Sequence, residues 1–195
     1  MRSAPATLPP GPFEARETVP SNRSGIVAEL VRLLPAAAVA TSELARNAYG
    51  RDGFGFVSGD PLAIVSPADR SEVAAVVRAC GRWGVAVVPR GAGTGRTGGA
   101  VPLGESVVIS MARMRRFLAF DDVDGFVQVE AGVRNLEVSA HVRDAGWCYA
   151  PDPSSRRTCT IGGNIATNAS GAGALRRGTT ASHLAAVTVV LPGGE

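Results

Sequence analysis

Apolar residues recur along this chain with the two spacings that distinguish helices from strands. The clearest helix begins at Asp69, an N-cap residue for which Glu72 completes a capping box, and ends at Gly84. The apolar residues between them follow the three- and four-residue spacing of a helix with one buried face. Short apolar runs at 62–65 and 85–88 flank this helix, and the second is predicted to be a buried strand. The order of strand, helix and strand is typical of an α/β unit.

The rest of the chain alternates in the same way. Further helices are predicted at 25–34, 42–49, 134–145 and 163–168, and further strands at 106–110, 126–129 and 185–191. Asp121 and Asp122 are assigned to a turn-like stretch. The segments from 106 onwards are predicted to form a mixed sheet with helices on one side. The pattern therefore predicts the α+β class, with elements in the order that a small α/β subdomain needs.

Length and composition indicate one globular domain with an N-terminal extension. Hydrophobic residues make up 45% of the 195 residues and charged residues 19%, as is typical of a folded chain. Residues 1–24 are rich in proline and polar side chains and lack the apolar core of a signal peptide, so a disordered tail is predicted. Residues 25–60 are assigned to an N-terminal helical segment. No apolar run is long enough to predict a transmembrane segment.

Charge and cysteine content narrow the possible functions. All 20 basic residues are arginines spread along the chain, and the net charge is only +3, which argues against a nucleic-acid partner. Cys80, Cys148 and Cys159 have no metal-binding spacing, and only two histidines are present, so no metal site is predicted. The low cysteine content is typical of a reducing compartment, and a cytoplasmic location is expected.

The first candidate site is the segment 89–99, which reads PRGAGTGRTGG. Five of its eleven residues are glycines, and it directly follows the apolar run 85–88. Glycines at this density disfavour a helix or strand, but they allow a tight backbone that presents bare N–H groups to an anion. A loop of this kind after a strand is suited to binding a phosphate or pyrophosphate.

Residues 93–98 also match the dinucleotide-binding pattern G-x-G-x-x-G. That pattern has its usual meaning only when the third glycine opens a helix. Here the following residues, 99–104, include a proline and further glycines, and the next element is the predicted strand 106–110. A nicotinamide-binding module is therefore disfavoured.

The second candidate site is the segment 160–171, which reads TIGGNIATNASG. Gly162 and Gly163 are predicted to open a short helix, whose N-terminus carries free donors and partial positive charge. The run PDPSS at 151–155 precedes it.

These segments, together with the ending VTVVLPGG at 187–194, resemble the FAD-binding proteins of the vanillyl-alcohol oxidase and p-cresol methylhydroxylase (PCMH) superfamily. Within that superfamily they are most similar to the glycolate oxidase flavoprotein subunit and to D-lactate and D-2-hydroxyacid dehydrogenases. The resemblance covers residues 40–195 in the same order. It implies a PCMH-type FAD-binding domain at 61–195, with a first subdomain at 61–110 and part of a second at 111–195.

The resemblance also implies which residues contact FAD. In the first segment they are Pro89, Arg90, Gly91, Ala92, Gly93, Thr94, Gly95, Thr97, Gly98 and Gly99. In the second region they are Pro151, Asp152, Ser154, Thr160, Gly162, Gly163, Asn164, Ala166, Thr167, Asn168, Gly171 and Val189. Asn164 and Asn168 can both donate and accept hydrogen bonds, as the polar edge of a flavin requires. For Asp152, a role in fixing a turn is an equally good interpretation.

Two departures from the family pattern qualify the functional expectation. Relatives with covalently bound flavin carry a histidine in the first loop, where this chain has Thr94, so noncovalent FAD is expected. The chain ends at Glu195, before the positions at which relatives have the rest of the FAD domain and a cap domain, so a C-terminally truncated domain is expected and no catalytic residue is assigned.

Two functional hypotheses follow. The first is the FAD-binding portion of an oxidoreductase that oxidises a D-2-hydroxyacid such as glycolate or D-lactate and passes electrons to an acceptor, provided that a cap domain completes it. The second is a non-catalytic FAD-binding fragment, or a module that needs a second chain.

Overall fold

The computed structural model describes residues 23–195 and confirms the α+β class. The helices are α1 (Arg23–Leu33), α2 (Glu43–Tyr49), α3 (Arg70–Trp83), α4 (Asn135–Val142), α5 (Ile161–Ala166) and α6 (Ala174–Arg177). The strands are β1 (Val39–Ala40), β2 (Ala63–Val65), β3 (Ala86–Arg90), β4 (Ser106–Ser110), β5 (Phe117–Asp121) and β6 (Phe126–Val129). The predicted tail lies outside the described residues except for residues 23 and 24, which form the start of α1.

Helix α3 shows how directly the sequence sets a local structure. The carboxylate of Asp69 accepts hydrogen bonds from the backbone N–H groups of Ser71 and Glu72, at 2.8 and 3.0 Å. The carboxylate of Glu72 returns one residue further than a standard capping box requires, to the N–H of Ala68 at 2.7 Å. At the other end, Gly84 has a left-handed backbone with φ of +65°, which ends the helix.

Strands β1 to β4 form one sheet in the order β1-β2-β4-β3. Strands β2, β4 and β3 are parallel, and β1 pairs with β2 in the antiparallel direction. All five residues of β4 are buried, as expected for a central strand. The strand predicted at 85–88 is present as β3, but its predicted burial was wrong, because β3 lies at the edge of this sheet and is only partly buried.

The hydrophobic core lies between this sheet and helices α1 and α3. Ile26 and Leu30 of α1 and Val76 and Cys80 of α3 are completely buried in it. Burial of one such aliphatic side chain contributes about 1.5–3 kcal/mol. Burial also raises the pKa of the Cys80 thiol to about 11, so this cysteine is a core residue, as its helical position suggested.

The region after 110 is less regular than the sequence predicted. Strands β5 and β6 form a two-stranded antiparallel sheet of their own, and β4 belongs to the first sheet, so the predicted mixed sheet from 106 onwards was wrong. Strand β5 was not predicted. Asp121 is its last residue, and its carboxylate holds the turn by accepting hydrogen bonds from the N–H groups of Val123 and Asp124.

The predicted strand at 185–191 was also wrong, since these residues pair with no strand among the described residues. Val187 and Val189 are more than half exposed, whereas Val190 packs against the core. The segment is held further along by Arg78, whose guanidinium donates to the Gly194 carbonyl at 2.7 Å. A segment forms a sheet strand only when its backbone pairs with another strand, however apolar its sequence.

Alanine substitution of two glycines near the end of α3 should change the stability of the chain in opposite directions. A Cβ at Gly81 or at Gly84 would meet no atom within 4 Å, but only Gly84 has a positive φ. We expect Gly81→Ala to stabilise the chain by about 0.5–1 kcal/mol, because alanine reduces the entropy lost on helix formation. We expect Gly84→Ala to destabilise it by about 1 kcal/mol, because alanine is strained in the left-handed region. Urea denaturation of the two variants measures both effects, and equal effects would contradict this interpretation of the helix end.

Candidate cofactor site

The first glycine segment lies at the carboxyl ends of the parallel strands. It leaves β3 after Arg90, which is level with Ser110 at the end of β4. Residues 91–105 must then return to the start of β4, which lies between β2 and β3. Ligands of open parallel sheets bind at this end of the strands.

The backbone of this loop has free hydrogen-bond donors. Within the described residues, the N–H groups of residues 92–97 have no hydrogen-bond acceptor. Gly93 and Gly98 have left-handed backbones, with φ of +70° and +83°. Successive N–H groups in such turns form a concavity that favours anions. The geometry supports the predicted phosphate loop.

Arg90 acts as a support beneath the loop. Its Nη1 donates to the carbonyl oxygens of Arg51 at 2.7 Å, Ala100 at 3.2 Å and Tyr49 at 3.3 Å. Its guanidinium also lies 5.2 Å from the centre of the Tyr49 ring. Burial lowers the pKa of Arg90 from its usual value, although an arginine remains charged. A Cβ at Gly93 would overlap with this guanidinium, so Gly93 is required by Arg90 as well as by its positive φ.

The sequence did not indicate that residues 50–59 contact the glycine loop. The carboxylate of Asp52 accepts hydrogen bonds from the N–H groups of Phe54, Gly55 and Gly98. These bonds lower the pKa of Asp52, the Gly55 bond being the strongest cause. The next residue, Gly53, donates to the Gly95 carbonyl at 2.8 Å. The Asp-Gly pair at 52–53 is a turn signal that could have pointed to this segment.

The second glycine segment forms the N-terminus of α5. Thr160 is the N-cap of this helix, and its Oγ1 accepts a hydrogen bond from the N–H of Gly163 at 3.2 Å. Gly162 packs so closely on Ala131 that a Cβ would lie 2.8 Å from the Ala131 Cβ. A Cβ at Gly91 would overlap with Thr160 Oγ1, so the first and second segments touch at these two residues.

The best evidence for a ligand is at Asn164. This residue of α5 is 2% exposed, and its Nδ2 has no hydrogen-bond partner among residues 23–195. Buried amide groups are otherwise almost always paired, and an orphaned donor costs about 1–3 kcal/mol. By contrast, Asn168 uses its Oδ1 to accept from the N–H of Ala181 at 3.0 Å, and it adopts φ of +46°.

The loop at 151–155 approaches the second segment from its other end. A Cβ at Gly171 would overlap with the carbonyl oxygen of Asp152, so backbone meets backbone here. The Asp152 carboxylate pairs with Arg156 at 2.6 Å, one turn along the chain, and is partly exposed. Asn135, which the sequence pattern did not indicate, is buried and donates from Nδ2 to the Pro151 carbonyl at 3.1 Å.

The structure thus brings most of the predicted residues into two adjoining groups. The first comprises the loop 89–99 and the second comprises Thr160 to Asn168 with Gly171 and the loop 151–155. Thr167 bonds back to the Gly163 carbonyl through Oγ1 at 3.0 Å, and Ala166 is exposed at the end of α5. Val189 is 57% exposed in the C-terminal segment, and no hydrogen bond within residues 23–195 joins it to either group.

Comparison with known families identifies the domain that contains this site. A family model described as an FAD binding domain matches residues 61–195. The chain belongs to this family. Two observations in the structure fit FAD: unpaired N–H groups suited to a pyrophosphate and an orphaned buried amide suited to a polar ring edge.

Curated relatives of this FAD-binding domain are an oxidase subunit and dehydrogenases by name. Glycolate oxidase subunit GlcD of Escherichia coli K12 is 42% identical over 147 residues, which make up 75% of this chain and 30% of that protein. D-2-hydroxyglutarate dehydrogenase of Xanthomonas citri pv. viticola is 39% identical over 169 residues, or 87% of this chain and 36% of that protein. The chain therefore spans about a third of the length of these relatives.

A solved structure supports the PCMH-type fold of the FAD-binding domain. Substrate-bound p-cresol methylhydroxylase matches with a TM-score of 0.68 at 16% identity, covering 78% of this chain and 31% of that chain. At this identity the likeness shows the fold alone. The predicted family and fold class are both confirmed.

Contact between the two segments gives a test with an internal control. Gly91→Ala should disturb Thr160 and the start of α5, because the new Cβ overlaps with the hydroxyl that caps the helix. Gly81→Ala should leave FAD binding unchanged, since Gly81 lies outside both segments and its Cβ would meet nothing within 4 Å. We expect Gly91→Ala to weaken FAD binding at least about tenfold, equivalent to 1.4 kcal/mol. FAD titration by fluorescence compares the two variants, and equal affinities would contradict contact between the segments.

A buried carboxylate holds the backbone on which α5 rests. Glu130 is 7% exposed, and its carboxylate accepts from the N–H of Arg116 at 2.8 Å and from the Arg116 guanidinium at 2.7 and 2.9 Å. The following residues, Ala131 and Val133, accept hydrogen bonds from the N–H groups of Gly162 and Ile161. The Arg116 side-chain bond is the main cause that lowers the pKa of Glu130.

Glu130 therefore predicts an acid-dependent loss of stability. Because its pKa is lowered in the folded chain, its contribution is complete above the ordinary pKa of a glutamate and is lost as the pH falls through the lowered value. Glu130→Gln should be less stable than wild type near pH 7, on the order of 1 kcal/mol since Arg116 is largely exposed. The difference should shrink in acid. Urea denaturation across pH measures it, with the exposed Glu43→Gln as control, and a constant difference would refute it.

Proposed function

We propose that this chain is the FAD-binding part of a flavin-dependent oxidoreductase that oxidises a D-2-hydroxyacid such as glycolate or D-lactate. The observation that supports the cofactor role best is the orphaned Nδ2 of Asn164. Asn164 is buried in α5, whose N-cap Thr160 meets Gly91 at the start of the glycine loop. The substrate class follows the names of the relatives, glycolate oxidase subunit GlcD and D-2-hydroxyglutarate dehydrogenase. Bound FAD would supply the acceptor for a hydride from the substrate carbon.

The residues of this chain bind and orient the cofactor in this proposal. The N–H groups of residues 92–97 would hold the pyrophosphate, and the contact between Gly91 and Thr160 would fix the distance between the two segments. Asn164 would donate its Nδ2 to a carbonyl oxygen of the flavin ring. Since Arg90 is occupied by three backbone carbonyls, its role is to support the loop rather than to neutralise the phosphates.

The second candidate is a non-catalytic FAD-binding module that needs a further chain or domain. It is favoured by one observation, that the matched segments make up only 30% and 36% of the two relatives. The substrate, the electron acceptor and a cap domain or second subunit are therefore proposals. A cytoplasmic location is proposed from the low cysteine content, and all three cysteines are free thiols. No helix among the described residues is long and apolar enough to cross a membrane.

We expect the purified chain to bind FAD without a covalent bond, because Thr94 stands where covalent relatives carry a histidine. After reconstitution with FAD and removal of excess ligand, acid precipitation should release the yellow colour into the supernatant. Colour that stays in the pellet would contradict the noncovalent proposal. Asn164→Leu, which removes the orphaned amide, should bind FAD at least about tenfold more weakly by fluorescence titration.

Turnover of the same FAD-loaded protein separates the two candidate functions. Reduction of an artificial dye by glycolate or D-lactate supports the oxidoreductase. FAD binding without dye reduction supports the module, and absence of FAD binding contradicts both.

A further inference from the structure

Asp52 lies outside every glycine segment, yet its side chain joins two parts of the chain that are 46 residues apart. Oδ1 accepts from the N–H groups of Phe54 and Gly55, at 3.0 and 3.1 Å, and forms a local turn. Oδ2 accepts from the N–H of Gly98 at 3.0 Å. Both oxygens are thus needed, and a carboxylate provides them where an amide has only one acceptor.

The backbone around Asp52 contacts the same loop at two further points. Gly53 donates to the Gly95 carbonyl at 2.8 Å. The Arg51 carbonyl and the Ala100 carbonyl accept hydrogen bonds from the same Nη1 of Arg90. The loop is therefore tied to residues 51–53 at its beginning, its middle and its end, while its N–H groups at 92–97 remain unpaired within the described chain.

We propose that Asp52 is a positioning residue for the cofactor loop, which holds Gly98 so that the unpaired N–H groups keep the arrangement that binds the pyrophosphate. This inference rests on the proposed FAD-binding function. Asp52 itself does not contact the cofactor in this role, since both of its oxygens are occupied by backbone donors.

A role of Asp52 through its charge and a role in positioning the loop predict opposite effects of removing its carboxylate. If Asp52 acted only through its charge, Asp52→Asn would strengthen binding of the anionic pyrophosphate, because a nearby negative charge would be lost. If Asp52 positions the loop, the same variant weakens binding, because one of its acceptors becomes a donor that faces another N–H. The direction of the change therefore distinguishes the two roles.

The chain provides a matched control in the turn between β5 and β6. Asp121 accepts from the N–H groups of Val123 and Asp124 at 3.0 and 2.9 Å, as Asp52 does in its own turn, but it makes no hydrogen bond to the glycine loop in the part of the chain that the structure describes. Asp121→Asn therefore removes a turn carboxylate without the second link. Asp52→Ser is a further variant, whose hydroxyl can hold the local turn but is too short to reach Gly98.

The experiment measures FAD affinity by fluorescence titration and amide hydrogen exchange of the FAD-free chain. We expect Asp52→Asn and Asp52→Ser to bind FAD at least about tenfold more weakly than wild type, with Asp121→Asn unchanged. We also expect faster exchange at Gly98 in both Asp52 variants, with the exchange of the β4 amides unchanged. An Asp52→Asn affinity equal to or tighter than that of wild type would overturn the proposal.

The hydrogen-exchange measurement distinguishes failure of this inference from failure of the proposed FAD-binding function. If the wild-type chain fails to bind FAD, the proposed function fails. In that case, faster exchange at Gly98 in the Asp52 variants still supports loop positioning, and unchanged exchange overturns it.

Discussion

The position of β4 between β2 and β3 is the constraint on which the site depends. The three strands are parallel, so the chain must leave β3 at one end of the sheet and return to the other before it can enter β4. A five-residue strand is about 17 Å long. The connection 91–105 covers this distance without a helix, and its glycine-rich start lies where the strands end. The topology therefore places flexible backbone, with its donors unpaired, at the end of the sheet where parallel folds bind ligands.

The site contains two kinds of polar group, those that hold the protein's own backbone and those that are left without a partner. Side chains such as Arg90, Asp52 and Thr160 bind the protein's own backbone, whereas the groups left without partners are backbone N–H groups and the amide of Asn164. A loop rich in glycine has no side chains to hold its shape, so its shape must be imposed from neighbouring segments. This division explains why changes at residues that never touch the cofactor are expected to alter its binding.

The sequence predicted the parts of the fold that local rules determine. The limits of α3 follow from Asp69 and Gly84, and the two glycine segments were found because glycine is informative at close approaches and left-handed turns. It could not predict that β3 is an edge strand, because apolar content alone does not reveal which strand lies in the middle of a sheet. The strand predicted at 185–191 failed for a related reason, since a strand also needs a partner. Asp52 was missed because its link to Gly98 joins residues far apart in the chain.

Because β3 is an edge strand, Pro89 has a structural effect that does not involve the cofactor loop. Proline has no backbone N–H, so it interrupts the row of donors that an edge strand presents. Another extended chain that approached β3 along its open side would find this row broken near the carboxyl end of the strand. Unprotected edges are the usual starting points for sheet-to-sheet aggregation. The residue that introduces the glycine loop thus also limits self-association of the sheet that carries it.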